Sequence, residues 1–382
     1  MKREVFSEEH ELFRAEFRRF AEAEVAPKID EWNARGRTDR ATWRRFGEAG
    51  YLGADAPEEY GGAGADFLFD AIIMEELARI RAHALMISLH SDICMPYLKH
   101  YGSPEQKARF LPSCISGETI LAIAMTEPGT GSDLANIQTR ALRDGDDYVV
   151  DGAKTFISNG QIADLVIVVV RTDPDADPPH NGISLLLVEG DTPGFERGRN
   201  LKKLGLTGQD TSELSFHDCR VPVANRLGAE GQGFKMLMNQ LQQERLSIAV
   251  ASIASCRRSL DDTVAYVKER KAFGQRIASF QNTQFTLAEL ATEIEIGQSF
   301  VDRLLAAHVR GEEIVTEVSM AKYWVTDLQK RVAAECLQLH GGYGFMREYP
   351  ISGDYADAAV QSIYAGTNEI MKLIIARRMG LD

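Results

Sequence analysis

Glu244 is the residue whose position first asks for a chemical explanation. In the run that begins at Phe234, the apolar residues Phe234, Leu237, Leu241, Ile248 and Ala251 recur at helical spacing, and Glu244 falls inside that stripe. A carboxylate on a buried helix face is costly unless it is paired or used, and burial raises its pKa. Arg245 sits ~100° further round the helix, so it does not automatically neutralise its neighbour. Two accounts stand open on this pattern: an ion pair with another helix, or a general base at the wall of a cavity.

Three further stretches could meet a ligand. Met125-Thr126-Glu127-Pro128-Gly129-Thr130-Gly131-Ser132-Asp133 joins glycines, which let a backbone come close, to the hydroxyls of Thr126 and Ser132. Such a segment could line a flavin or a phosphate, and a plain domain-junction turn would read the same way. Lys154-Thr155-Phe156-Ile157-Ser158-Asn159-Gly160 alternates and ends in an Asn-Gly turn, so Phe156 and Ser158 offer a ring and a hydroxyl on one side. That suits a ring-shaped ligand, and ordinary β-structure shares the pattern. Gln338-Leu339-His340-Gly341-Gly342-Tyr343-Gly344 breaks a helix with clustered glycines, either for a close approach or as a simple interhelical loop.

Other chemistries find no foothold. Gly61-Gly62-Ala63-Gly64 lacks the third glycine of G-x-G-x-x-G and follows no strand, and neither G-x-x-x-x-G-K-[ST] nor G-x-S-x-G nor H-E-x-x-H occurs. His83 and His90 could share a helix face, but without a third ligand they argue for no metal. Cysteines 94, 114, 219, 256 and 336 are scattered, with no C-x-x-C pair, which fits neither a disulfide framework nor a zinc site. The formal charge of −13 gives no basic face for nucleic acid or an anionic membrane. No apolar run reaches the ~18 residues of a membrane span, and the charged Met1-Lys2-Arg3-Glu4-Val5 start shows no signal-peptide pattern. The expected setting is therefore a soluble, reduced, cytoplasmic one.

The elements that must position these residues fall into three zones, as 382 residues would suggest. From Ser7, a plausible N-cap, to about Gly117 the pattern is helical, with Phe13, Phe17 and Phe20 on one face, a second run over 67–80, and another helix starting near Ser103-Pro104-Glu105. Between about Thr119 and Ala229 short β-branched runs (148–150, 165–170, 183–188, 214–216) alternate with turns, which predicts a small barrel or sandwich. After Gly231-Gln232-Gly233 helices return, with breaks expected around Gly311, Gly341–Gly344 and Pro350–Gly353. The class is α+β multidomain.

The motifs taken together resemble the acyl-CoA dehydrogenase family. Thr126–Asp133 and Gln338–Phe345 are similar to its two signatures, and Pro57–Gly62, Tyr101–Lys107 and Glu269–Gly274 extend the likeness over essentially the whole chain. The resemblance implies an N-terminal helical domain (1–118), a middle β-barrel (119–230) and a C-terminal four-helix bundle (231–382). It implies FAD-dependent α,β-dehydrogenation of an acyl-CoA thioester to a trans-2-enoyl-CoA, with electrons passed to electron transfer flavoprotein. An oxidase or monooxygenase on the same fold, or a non-catalytic flavin- or acyl-CoA-binding homologue, is the alternative.

Carried over residue by residue, Met125, Thr126, Gly131, Ser132, Phe156, Ile157 and Ser158 match flavin contacts. Arg270, Phe273, Gln281, Gln338, Gly341 and Gly342 match the set that holds the FAD of a neighbouring subunit, and Thr367 and Glu369 match C-terminal FAD contacts. A site completed across an interface implies a homo-oligomer, a dimer of dimers. Ser132, Gln242, Arg245, Ala365 and Gly366 match substrate contacts. Thr130, Asn136 and Gly353 depart from the signatures without removing a functional group. The serious departure is Ala365, where many members carry the catalytic Glu. The long-chain and isovaleryl-type subgroups place the base on the first helix of the C-terminal domain instead, and Leu241-Gln242-Gln243-Glu244-Arg245-Leu246 is similar to theirs. Met320–Trp324 and Asn368–Lys372 lean towards the long-chain type. Periodicity and resemblance thus meet at Glu244, while acyl chain length stays open.

Overall fold

The computed structural model describes residues 3–381; Met1, Lys2 and Asp382 lie outside them, as does that part of the expectation about the charged N-terminal start. Six helices come first: α1 (Glu8–Phe20), α2 (Ile29–Arg35), α3 (Arg40–Glu48), α4 (Phe67–Arg79), α5 (Met95–Tyr101) and α6 (Pro104–Ile115). Ser7 caps α1 and Ser103 caps α6, each with a reciprocal bond from the third residue on, so both starts follow from local sequence. Phe13, Phe17 and Phe20 pack with Phe46 and Tyr51 in an aromatic core. Immediately before α5, Leu89–Cys94 forms a wide π turn.

The middle part holds β1 (Leu121–Ala124), β2 (Arg140–Asp144), β3 (Asp147–Ser158), β4 (Leu165–Arg171), β5 (Ile183–Glu189), β6 (Phe195–Asn200), β7 (Thr211–Pro222) and β8 (Arg226–Leu227). They make one mixed sheet in the order β6-β7-β3-β2-β4-β5-β8, with β1 parallel to β4. The expected barrel is not formed. The sheet ends at β6 and β8, which do not pair, and its two halves meet through a single β2–β4 register position, Arg140 opposite Arg171. β4 and β5 read as unbroken apolar runs because both their faces are covered. Val166, Val168, Val170, Leu186 and Val188 face the sheet's own core, while Leu165, Ile167, Val169, Leu185 and Leu187 join a cluster with α5, α6 and the start of the next helix.

That helix, α7 (Gly233–Glu269), is followed by a short hairpin of β9 (Lys271–Ala272) and β10 (Gln275–Arg276), then by α8 (Gln281–Val309), α9 (Val315–His340), α10 (Pro350–Gln361) and α11 (Asn368–Arg378). The break expected at Pro350–Gly353 is instead a beginning: Pro350 occupies the first turn of α10, where a missing N–H costs nothing, and Gly353 lies inside the helix. At ~1.5 Å per residue α7 spans about 55 Å. Its Met236 and Leu237 join the cluster of α5, α6 and the sheet, and its Leu246, Val250 and Ile253 join a second cluster with α4, α8 and α9. Glu244 stands at the handover between these two cores.

His83 and His90 share no helix face. His90 is a core strut whose Nδ1 accepts from the Leu121 N–H at 3.1 Å and whose Nε2 donates to the Cys114 carbonyl at 3.0 Å. Burial pushes its pKa down to about 4. Among the described residues no helix is long and apolar enough to cross a membrane.

Candidate active site

The apolar stripe of α7 broadens around Glu244 until every side chain from Glu244 to Val250 is buried. Glu244 itself is 4% exposed. Its Oε1 accepts a hydrogen bond from the Tyr97 hydroxyl at 2.9 Å, and its Oε2 has no partner among the described residues. No cation forms an ion pair with it there, so the interhelical ion pair that the sequence left open is not what fills this position. Burial raises the Glu244 pKa to about 7, against the opposing pull of the Tyr97 hydrogen bond and of Arg245.

Arg245 is equally buried and makes no hydrogen bond among the described residues, where its Nε is enclosed without a partner. It lies beside the loop between α10 and α11, since a Cβ built on Gly366 would come 3.8 Å from an Arg245 Nη. This loop is conformationally special. Ala365 has φ +50° and Gly366 φ +90°, and the Ala365 N–H has no hydrogen-bond partner among the described residues. Lys322 of α9, fully buried, donates to the Gly366 carbonyl at 2.8 Å and to Asn368 Oδ1 at 3.1 Å. Burial, then the nearby Arg245, pushes its pKa down to about 8. Thr367 caps α11 by accepting from the Ile370 N–H, and Glu369 sits exposed in the first turn. Gln242 is spent elsewhere: its Oε1 accepts from the Ile314 N–H at 2.8 Å and its Nε2 donates to the Glu312 carbonyl at 3.1 Å, so its amide ties α7 to the α8–α9 loop.

The β-domain side is built on a closed charge pair. Lys154 Nζ meets Glu127 Oε1 at 2.9 Å and the Met125 carbonyl at 3.1 Å. Glu127 also accepts from the Gln138 and Thr139 N–H groups at 2.6 and 2.9 Å. Burial pushes the Lys154 pKa down to about 8 while Glu127 pulls the other way. The Thr155 N–H donates to the Thr126 carbonyl, which holds the 125–133 loop against β3. A bulge in the β3–β7 pairing falls between Lys154 and Ile157, and within it Phe156 takes φ +60° and stands 66% exposed. A strained, outward-facing ring on a bulge is a candidate functional feature. Ser158 is half-buried beyond it, whereas the Ile157 side chain is buried in the sheet core. Gly131 and Ser132 are exposed, and nothing lies within 4 Å of a Cβ built on Gly129 or Gly131, so the loop leaves room for a ligand. Met125 joins the apolar cluster that also holds Tyr97 and Leu237, which links this side to the helical one.

The remaining predicted contacts lie on a separate surface. Arg270, Phe273, Gln281, Gln338, Gly341 and Gly342 are all exposed. The Arg270 guanidinium sits 5.3 Å over the Tyr343 ring, joining the 270 and 340 segments. Phe273, at φ +52° in the β9–β10 turn, is 95% exposed. Gly341 has φ +59° and ψ −138°, a conformation open essentially to glycine alone.

Sequence reasoning missed Tyr97, Glu127's strut with Lys154, and Lys322. A signal existed for Tyr97. It interrupts the apolar Cys94-Met95-Pro96-Tyr97-Leu98, and a buried tyrosine hydroxyl needs a partner.

Comparison with known proteins gives one family throughout. Models described as acyl-CoA dehydrogenase N-terminal, middle and C-terminal domains match residues 7–118, 122–219 and 231–380. The chain is 48% identical to the mitochondrial long-chain specific acyl-CoA dehydrogenase of Mus musculus, over 100% of this chain and 88% of that one. Among solved structures, an acyl-CoA dehydrogenase from Geobacillus kaustophilus superimposes with TM-score 0.98 at 54% identity, covering 99% of this chain and 100% of the other. A chain from the electron transferring flavoprotein study of Acidaminococcus fermentans superimposes with TM-score 0.94 at 34% identity, covering 99% of each.

Proposed function

The chain belongs to the acyl-CoA dehydrogenase family, and from that premise we propose that Glu244 is the base that removes the α-proton of an acyl-CoA thioester. The observation that carries the proposal is a carboxylate buried between two cores, held by one hydroxyl and, among the described residues, paired with no cation and left with one oxygen free. Its pKa near 7 keeps it partly ionised at neutral pH and matches it better to a weak carbon acid than an ordinary carboxylate would be.

The enzyme is an FAD-dependent oxidoreductase that desaturates acyl-CoA to trans-2-enoyl-CoA. Bound FAD supplies the acceptor for the β-hydrogen and two electrons. An unactivated α-C–H is far too weak an acid for a carboxylate, so the thioester carbonyl must be polarised. The unpartnered Ala365 N–H is proposed as a donor to that oxygen, and a backbone donor does not depend on which side chain stands at 365. Arg245 adds positive charge beside the same loop. Thr126, Gly131, Ser132, Phe156 and Ser158 are proposed to hold the flavin ring and its phosphates; the open glycines and the outward Phe156 fit a large planar group. Met125 and Ile157 contribute through their backbone, and Thr367 and Glu369 extend the cofactor site.

The exposed set at Arg270, Phe273, Gln281, Gln338, Gly341 and Gly342 is proposed to complete the FAD site of a second copy, in a dimer of dimers. The segmentation 1–118, 119–230 and 231–382 is kept as the working division into domains, supported by the family-model limits. Electron transfer flavoprotein is the proposed acceptor, and five unpaired, buried cysteines suit a reducing, cytoplasmic setting. A long acyl chain is the proposed substrate, supported by the 48% identity to the long-chain enzyme and by the small side chain at 365.

Anaerobic titration of the purified holoenzyme with straight acyl-CoAs from about C4 to C18 and with branched ones, followed by flavin absorbance, tests this reading. Bleaching that is strongest with long chains is expected. No bleaching with any acyl-CoA would overturn the reaction, and rapid oxygen consumption in its place would assign an oxidase.

A further inference from the structure

We propose that Tyr97 is a positioning residue for the base: its hydroxyl fixes one oxygen of Glu244 and so dedicates the other to the substrate's α-proton. The inference rests on the assignment of Glu244 made above and goes beyond it, because it says which oxygen reacts and what sets its proton affinity.

Three features aim Tyr97. The wide turn Leu89–Cys94 carries an extra residue relative to α-helix, which rotates everything after it by ~100°. Pro96 then sits in the first turn of α5, where its missing N–H costs nothing, and Tyr97 follows with no exposure to solvent. The third is a second tie beside the first: Gln243 Nε2 donates at 2.8 Å to the Asp92 carbonyl inside the wide turn. Two successive residues of α7 therefore dock on one turn-and-helix unit, through a backbone carbonyl and a phenol. The Tyr97 ring lies in the apolar cluster with Met95, Leu98 and Leu237, and Glu244 is the hydrogen-bond acceptor its hydroxyl finds among the described residues.

Burial raises the Glu244 pKa, and of the groups that face it this hydroxyl opposes the rise most, ahead of Arg245. From the wide turn comes Cys94, whose thiol is pushed well up by burial and so is neutral. From its own helix comes Arg245, which makes no ion pair among the described residues, and beyond it Lys322 of α9, bonded to the Gly366 carbonyl. From α5 comes Tyr97, whose own pKa is pushed well above the ordinary phenol by burial and then by Glu244, so it stays a donor. In the reaction the α-proton moves to Oε2 and its bonding pair becomes the thioester enolate. Tyr97 keeps its proton and goes on donating to Oε1, now the carbonyl oxygen of a neutral acid. A donor that favours the charged form lowers the base's pKa, and its loss raises it.

Tyr97→Phe holoenzyme is compared with wild type by anaerobic stopped-flow reduction of the flavin with saturating acyl-CoA, from about pH 5 to pH 9. The acidic limb is expected to move up by about one to two pH units, slowing reduction ~10–100-fold below it. FAD content and the thermal midpoint at about pH 5 should stay near wild type. Superimposable profiles would overturn the inference. Glu244→Gln run alongside separates the two claims. If it is inert while Tyr97→Phe is unshifted, only the role of Tyr97 falls; if Glu244→Gln bleaches at the wild-type rate, the base assignment falls. Should Tyr97→Phe not hold FAD, 3-fluorotyrosine at position 97 keeps the shape with a stronger donor. The limb should then move down, and an unmoved limb would overturn the proposal.

Discussion

Lys154 and Lys322 are alike at first sight: each is buried, each is pushed down to about 8, and each donates to a backbone carbonyl of a site loop. They differ in what stands opposite. Lys154 meets Glu127, which also accepts from two backbone N–H groups, so the β-domain wall carries a paired, neutral set. Lys322 meets only a carbonyl and an amide, with the unpaired Arg245 nearby and Glu244 tied to a phenol rather than a cation. The paired set holds a shape. The open set stores a desolvation cost that a thioester and its developing negative charge can relieve. Of these two walls, the one whose buried charge is left unmatched is the one beside Glu244 and the 365–366 loop.

That contrast can be broken in order of expected effect. Glu244→Gln should cost ~10²–10⁴-fold in turnover while FAD stays bound, which steady-state assay and flavin content check. Lys154→Met should instead act on the fold, losing about 3–5 kcal/mol in denaturant titration because Glu127 is left buried and unmatched. Adding Glu127→Gln to it should recover part of that loss; no recovery would mean that the pair is not the closed unit described. A third effect separates the walls by pH. The folded pKa of Glu244 is raised to about 7 from the ordinary 4.5, so the folded state holds more protons and wild-type stability falls as pH rises through that window. Glu244→Gln removes this slope and should be more stable by about 3 kcal/mol above the window and no more stable below it, as paired unfolding curves would reveal. The smallest effect belongs to Gly366→Ala, at about 1–3 kcal/mol, since φ +90° disfavours a side chain and Met371 Cε lies 2.8 Å from the new Cβ.

The sequence made Glu244 legible because a charge inside an apolar period is visible within one helix. The caps at Ser7 and Ser103 and the three zones were legible for the same reason, since local pattern decides them. What the periodicity could not carry was pairing at a distance. Tyr97 lies 147 residues from its partner, and Lys322 lies 44 residues from the Gly366 carbonyl it meets. The open sheet was missed because β1 and β8 are short and pair with β4 and β5, which are not their neighbours in sequence. Gly353 misled because glycine reads as a break, whereas Pro350 had already started a helix through it. The bulge that turns Phe156 outward leaves no mark in an alternating run.

Glu244, as the proposed base, takes a proton from carbon. A 3-thia acyl-CoA has sulfur in place of the β-carbon, so it offers α-protons and no β-hydrogen, and it isolates that one step from flavin reduction. Wild-type holoenzyme in deuterated buffer should exchange its α-protons, followed by proton NMR, and Glu244→Gln should exchange ~10²–10⁴-fold more slowly. Exchange at the wild-type rate in Glu244→Gln would contradict the claim.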